Sequence, residues 1–165
     1  MVQQNLVFQK LQELLIDNKT YYHEPLFKVD QALAATAHIP GAQCKNLFLK
    51  DDKKKLYLIV AVHDTAIQLK KLSKYIQASG LRFADENLLY EYLKVKPGSV
   101  TPFGLIFDAN HAITVLLDAH LFKHELVGFH PLENTATTVI KPADLEKFIQ
   151  ASQNNYRVIN FSEIY

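Results

Sequence analysis

Between Leu56 and His63 the chain reads Leu-Tyr-Leu-Ile-Val-Ala-Val-His, and this run constrains the fold more than any other segment. In an extended strand successive side chains point to opposite faces, so Leu56, Leu58, Val60 and Val62 lie on one side and Tyr57, Ile59 and Ala61 on the other. Both sets are apolar. A strand of this kind is covered on both faces and lies in the middle of a sheet, which calls for a layer of structure on each side. The preceding run Asn46 to Lys50 is also strand-like, and Asp51-Asp52-Lys53-Lys54 between the two has the charge and length of a hairpin loop. With 165 residues and 48% apolar content the chain has the size and core of one compact domain spanning residues 1–165.

The remaining pattern supplies the layers. From Asn5 the apolar positions Val7, Leu11, Leu14 and Leu15 recur at helical spacing, with Lys10, Glu13 and Asp17 opposite, predicting a helix that stops near Asn18. Thr20 to His23 predicts a short strand, closed by Glu24-Pro25. Val29 to about Ala37 predicts a short helix, ended by Pro40-Gly41. Gln68 to Ser79 predicts a helix with Gly80 as its stop, and Asp85 is placed to cap the next, which carries Leu88, Leu89 and Tyr92. Strands are predicted at Leu105–Phe107, Ala112–Leu117, Leu126–Phe129, Thr137–Ile140 and Tyr156–Phe161. Pro142 starts a helix containing Leu145, Phe148 and Ile149. Helices and hairpin-length turns together predict a mixed α/β domain with a central mixed sheet flanked by helices.

No apolar stretch approaches the roughly 20 residues that span a bilayer, the N-terminus lacks a basic signal region, and the single Cys44 fits a reducing compartment. A cytoplasmic protein without a membrane partner is expected. The net charge of +1 argues against sequence-blind nucleic-acid binding, so no DNA partner is expected and any RNA contact is local.

Three breaks carry polar or glycine-bearing groups beside strands: Lys45-Asn46, Gly98 to Phe103, and Gly128 to Thr135. Lys45 stands at the mouth of an apolar run, after the Pro40-Gly41 turn, where a charge must be paired or used. Its ammonium can hold a carbonyl oxygen or a phosphate, and Gly98 and Gly128 admit close backbone approach to a ligand. An exposed lysine among ordinary turns fits the pattern equally well. Other constellations are weaker. His120 and His124, with Asp118 and Glu125 beside them, lack a third ligand at diagnostic spacing, and no metal is expected. Cys44 beside Lys45 is either a thiol with a depressed pKa or a small buried apolar residue. There is no G-x-S-x-G elbow, P-loop or G-x-G-x-x-G, so neither a serine hydrolase nor a nucleotide cofactor is indicated, and no cofactor is expected.

Lys45-Asn46-Leu47-Phe48-Leu49-Lys50-Asp51, Pro97-Gly98-Ser99-Val100-Thr101-Pro102-Phe103-Gly104-Leu105 and Phe129-His130-Pro131-Leu132-Glu133-Asn134-Thr135-Ala136-Thr137 together resemble, in order and spacing, the motifs of the YbaK/prolyl-tRNA-editing family. His23-Glu24-Pro25-Leu26-Phe27-Lys28-Val29 further resembles its freestanding ProX branch. The resemblance implies a partly barrel-like sheet and an aminoacyl-tRNA deacylase that clears mischarged tRNA(Pro), with Ala-tRNA(Pro) the foremost substrate and Cys-tRNA(Pro) the alternative. It implies Lys45 as the catalytic residue. It places Asn46, Arg82, Gly98, Ser99, Val100, Thr101, Pro102, Phe103, Gly128, His130, Asn134 and Thr135 around the substrate, with Val100, Phe103 and Leu132 as pocket walls. The implied partners are the acceptor end of a mischarged tRNA and prolyl-tRNA synthetase.

Overall fold

The computed structural model describes residues 2–25 and 36–164. The helix expected from Val29 to about Ala37 falls largely outside them. Eight strands form one mixed sheet: β1 (Lys19–Tyr22), β2 (Ala42–Lys50), β3 (Leu56–Val62), β4 (Arg82–Phe83), β5 (Ile113–Asp118), β6 (Val127–Phe129), β7 (Ala136–Ile140) and β8 (Tyr156–Ile159). Their order is β1-β7-β6-β2-β3-β5-β8, with β4 pairing to β2 off this path. β2 and β3 are antiparallel, whereas β3–β5, β5–β8 and β2–β6 are parallel.

β3 lies between β2 and β5, and every residue in it is buried. Its two faces feed two separate cores. Leu56, Leu58, Val60 and Val62 pack with Val7 and Leu11 of helix α1 (Val2–Glu13), Leu89 and Leu93 of α3 (Glu86–Leu93), and Leu145 and Phe148 of α4 (Pro142–Ala151). Tyr57, Ile59 and Ala61 pack with Leu72 of α2 (Leu69–Tyr75), Leu116 and Phe161. The double apolar pattern of β3 is thus the record of a two-sided sheet.

Three departures from the sequence expectation have a clear local reason. α1 ends at Glu13 rather than near Asn18, because Leu15 adopts φ 57°. The Ile16 amide then donates to Leu11 O at 2.9 Å and the Leu15 amide to Gln12 O at 3.0 Å, the paired bonds of a Schellman closure. Ile16 therefore turns inward, and Leu15, read as part of the apolar stripe, is left 85% exposed. α2 ends at Tyr75 in the same way, with Gln77 at φ 60° and the Ala78 amide on Ser73 O, so Gly80 is not its stop. Gly80 instead takes a left-handed turn at φ 73° beside the Asp52 carboxylate, a conformation that favours glycine. Leu105–Phe107 is not a strand: Pro102–Phe107 forms a 3-10 helix capped by Thr101, whose hydroxyl accepts from the Phe103 amide at 3.3 Å. The proline at its first turn and the Thr cap are helix-start signals that the apolar run obscured.

Candidate active site

β2 is longer than its sequence signature, and the extension builds the site. Apolar character marks only Leu47 to Leu49, yet pairing with β3 runs back to Cys44 and pairing with β6 begins at Ala42. Lys45 is therefore a strand residue rather than the end of a turn. On the edge of β2 away from β3, β6 covers Ala42 and Gln43 while β4 covers Leu49 and Lys50. Among the described residues no strand pairs with the stretch between. From the Val60 face of β2 the Asn46 side chain reaches the second motif, its Nδ2 donating to Val100 O at 3.1 Å. One hydrogen bond thus ties the first sequence motif to the second.

Beside this gap lies a cavity of about 90 Å³, lined by His23, Gln43, Cys44, Asn46, Gly128, Phe129, His130 and Thr137 together with the Ile39–Ala42 segment and Thr36. It is small against the roughly 300–1,000 Å³ that hold a drug-sized ligand. Gly128 keeps it open on the β6 side, where a Cβ would meet Thr137 Cγ2 at 2.8 Å. His23 and His130 come within 6.1 Å between ring centroids. The His23 Nδ1 lies 2.9 Å from Glu24 O and the His130 Nδ1 2.8 Å from Ala136 O. A carbonyl oxygen only accepts, so each Nδ1 carries the proton, and in the neutral ring each Nε2 is an acceptor. The Nε2 of His23 is met by the Thr137 hydroxyl at 2.9 Å. Burial, the largest influence, lowers the His130 pKa from its usual value; the bond to Ala136 opposes this and the neighbouring His23 adds to it.

Cys44 lines the same cavity, and burial pushes its thiol up to about 12, against a lowering contribution from the Gly128 backbone and a smaller raising one from Asp118. Of the two readings of Cys44 this favours the small buried residue over the reactive thiol. Lys45 does not act on it, because alternation along β2 turns adjacent side chains to opposite faces. We expect Cys44 to resist alkylation at pH 8 in the native protein and to react on unfolding, a difference that timed iodoacetamide labelling measures. The sign for stability follows from linkage. The folded pKa lies above the ordinary thiol value of 9.0, so the contribution is full below pH 9 and is lost as pH rises from 9 towards about 12.

The other residues singled out in sequence separate into two groups. Gly128 and His130 line the cavity with Asn46. Thr135 stands behind it, its carbonyl accepting from the His23 amide at 2.9 Å, and Asn134 is half-buried in the same turn without lining the cavity. Lys45 pairs across with Ala61, on the sheet face opposite that of Asn46 and Val60. Its ammonium has no hydrogen-bond or ion-pair partner among the described residues. In the second loop, Gly98 has φ 91° and the Ser99 amide donates to Lys96 O at 3.0 Å. With Pro97 at the second position this is a type II turn, so the glycine serves the turn itself. Ser99, Thr101 and Pro102 are buried, and Phe103 is 0% exposed, packed edge-on against Phe129 and Phe148. The pocket wall expected of Val100, Phe103 and Leu132 is therefore not what lines this cavity; Phe103 and Leu132 belong to the core. Arg82 sits on exposed β4, bonded to Asp52 at 2.6 Å and to Gly80 O, and takes no part in the cavity. His120 turns its Nδ1 to the buried carboxylate of Asp118 at 3.2 Å.

His23 and Thr137 complete the cavity and were not singled out as site residues from sequence. The signal for both was present, since each falls inside a segment carrying the family resemblance. What was missing was the β1–β7 pairing, which brings Tyr22 opposite Ala136 and so His23 beside Thr137.

The domain is thus a mixed α/β fold with a small, polar-rimmed cavity lined from β2, β6 and β7. The aminoacyl-tRNA editing domain model matches residues 23–148. The prolyl-tRNA editing protein ProX of Acetoanaerobium sticklandii is 36% identical over 154 residues, covering 93% of this chain and 94% of its own. Prolyl-tRNA synthetase associated domain-containing protein 1 of Mus musculus is 40% identical over 157 residues, covering 93% of each chain. A solved structure described as a candidate trans-editing enzyme for prolyl-tRNA synthetase superposes with a TM-score of 0.73 at 18% identity, over 96% of this chain and 95% of its own, which bears on the fold. The chain belongs to the aminoacyl-tRNA editing domain family. No described helix is long and apolar enough to cross a membrane.

Proposed function

We propose that the chain is a trans-editing deacylase that hydrolyses the ester of mischarged tRNA(Pro), with Ala-tRNA(Pro) as its main substrate and the cytoplasm as its place of work. The observation that carries this reading is the 90 Å³ cavity walled by residues of the first and third motifs and tied to the second through Asn46. A space of that size takes a small amino acid and leaves the terminal adenosine outside.

The chemistry asks little of the protein. An aminoacyl ester is already activated by the neighbouring ribose hydroxyl, so positioning the carbonyl and stabilising the charge that develops on it supply most of the acceleration. Water adds to the carbonyl carbon, the ester bond breaks, and the ribose oxygen leaves with a proton. The substrate's own vicinal hydroxyl is placed to orient that water, and no nucleophilic side chain is required. Lys45, on the sheet face away from the acyl cavity, suits the phosphate of the terminal nucleotide better than the carbonyl. A synthetase pocket shaped for proline discriminates against smaller alanine by only about 1–3 kcal/mol per missing methylene. A second, smaller cavity that admits alanine and excludes the pyrrolidine ring removes what slips through. Acceptor-end contacts, and prolyl-tRNA synthetase as a partner, would direct it to the right tRNA.

The test is single-turnover deacylation of Ala-tRNA(Pro) beside Pro-tRNA(Pro) and Cys-tRNA(Pro). We expect the alanyl ester to be cleared and the prolyl ester spared. Preference for the cysteinyl ester would reassign the substrate, and binding of tRNA without acceleration of any ester would show a noncatalytic module.

A further inference from the structure

We propose that a second cavity, about 360 Å³ in volume and separate from the acyl site, holds backbone phosphates of the tRNA body, so that the protein grips its substrate at two distant points. This rests on the tRNA substrate proposed above and goes beyond it by assigning a contact that the mischarged end cannot reach. The cavity opens at the hairpin end of the sheet, where Lys55, Tyr57, His111, Thr114, Asn155 and Arg157 line it and no carboxylate does. Strand pairing explains the convergence. Tyr57 lies opposite Thr114 of β5, and Leu116, two residues on, lies opposite Arg157 of β8, so three neighbouring strands present one face. Lys55 enters from the β2–β3 hairpin and His111 from the turn before β5.

The carboxylates of both turns point inward. Asp51, 2% exposed, accepts from the Lys53 and Lys55 amides, and Asp108, 3% exposed, accepts from the Ala112 and Ile113 amides. Each turn thus buries its acid and leaves its basic residue outside. Lys55 and Arg157 are exposed and have no ion-pair partner among the described residues. The Arg157 guanidinium lies instead over the Tyr75 ring, 5.4 Å from its centroid, which steadies it without neutralising it. Ammonium and guanidinium groups are pure donors, so the group that suits this lining is an anion rich in acceptors, a phosphate.

Distance decides which phosphate. With strands about 4.8 Å apart and residues about 3.3 Å along them, Lys55 and Arg157 stand roughly 15–20 Å from Lys45 between Cα positions. A single nucleotide does not span that interval, whereas an RNA strand held at Lys45 continues past it. Between the two points lies α2, which packs Leu72 against this sheet face and turns Lys70 and Lys74 to solvent. The chain's net charge of +1 is compatible with such a path because the positive charge is gathered on one surface.

The deciding experiment measures binding of uncharged tRNA(Pro) by fluorescence anisotropy from about 50 to about 200 mM salt. The double variant Lys55→Gln with Arg157→Gln is expected to bind roughly ten- to a hundredfold more weakly at about 0.1 M salt, and the slope of log affinity against log salt should shrink by about 1.4 to 1.8, the loss of two phosphate contacts. Arg157→Lys keeps the charge and should keep the slope, which separates lost charge from lost shape. Lys10→Gln removes a charge from α1, packed on the opposite sheet face, and should change neither quantity. An unchanged slope in the double variant, or an equal loss per charge in Lys10→Gln, would overturn the site. Binding of AMP that the double variant abolishes while tRNA affinity stays would make the ligand a free nucleotide and overturn the RNA contact. Turnover of Ala-tRNA(Pro) is read separately on the same preparation. The expected slopes without ester cleavage would leave the second grip standing and remove the deacylase reading, and absence of tRNA binding by the unmodified protein would remove the grip whatever the turnover.

Discussion

Replacing Lys45 with alanine is expected to lower ester hydrolysis by roughly ten- to a hundredfold, the range for losing one charge-assisted hydrogen bond to a bound phosphate, while leaving thermal stability nearly unchanged. The two halves of this expectation have separate grounds. The stability half rests on the ammonium having no hydrogen bond or ion pair within the described residues, so its removal orphans nothing. β2 also keeps its pairing with β3 through backbone groups that alanine retains. The activity half rests on position. A half-buried cation with no partner among the described residues finds in a bound tRNA end the phosphate it lacks. Single-turnover kinetics and a melting curve on the same preparation check both. Full activity in Lys45→Ala would remove the lysine from the mechanism, and lost activity with a large drop in Tm would make it a structural residue.

Phe103→Ala should be the most destabilising of the substitutions considered, by about 3–5 kcal/mol, the range for emptying a buried aromatic site. For a chain of this size that lowers Tm by roughly 6–20 °C. Phe103 is fully buried and meets Phe129 at 5.9 Å and Phe148 at 5.4 Å between ring centroids, both edge-on. Its ring joins the 3-10 helix that begins within the second motif to β6 of the third motif and to α4. Loss of the ring would therefore loosen the loop that Asn46 holds through Val100, and activity should fall along with stability. Denaturant unfolding separates this from a pocket-wall role. A wall residue would change the choice of ester at nearly constant stability, and that result would put Phe103 back at the substrate.

The two predictions concern residues from neighbouring motifs that looked alike in sequence, and the difference between them shows where sequence reading stopped. A motif marks a stretch of chain without saying which face of an element each residue occupies. For Lys45 and Asn46, adjacent in the first motif, β2 pairing sends one side chain to the Ala61 face and the other to the Val60 face. For Pro97 to Phe103, the turn at Gly98 and the cap at Thr101 bury most of the loop, leaving Val100 O as its bond to β2. Arg82, matched only loosely, is held at the surface by Asp52. The helix ends at Leu15 and Gln77 were illegible for a related reason: a left-handed closure normally announced by glycine is made by ordinary residues, with the inward return of Ile16 contributing to one of them.

What the sequence determined by itself is the part written in periodicity. Seven consecutive apolar residues from Leu56 to Val62 can only be satisfied by a strand with a core on each side, and that requirement is local, met by whatever layers the rest of the chain supplies. The order and spacing of the three motifs likewise carried the family. The tertiary structure alone decided which motif residues meet. His23 reaches Thr137 and His130 through a sheet pairing that spans more than a hundred residues, and Asn46 reaches Val100 only because the second motif's loop is folded over one face of β2. Periodicity records the environment of each residue, apolar or wet, but the partner at the far end of a hydrogen bond leaves no mark in the spacing of its own neighbours.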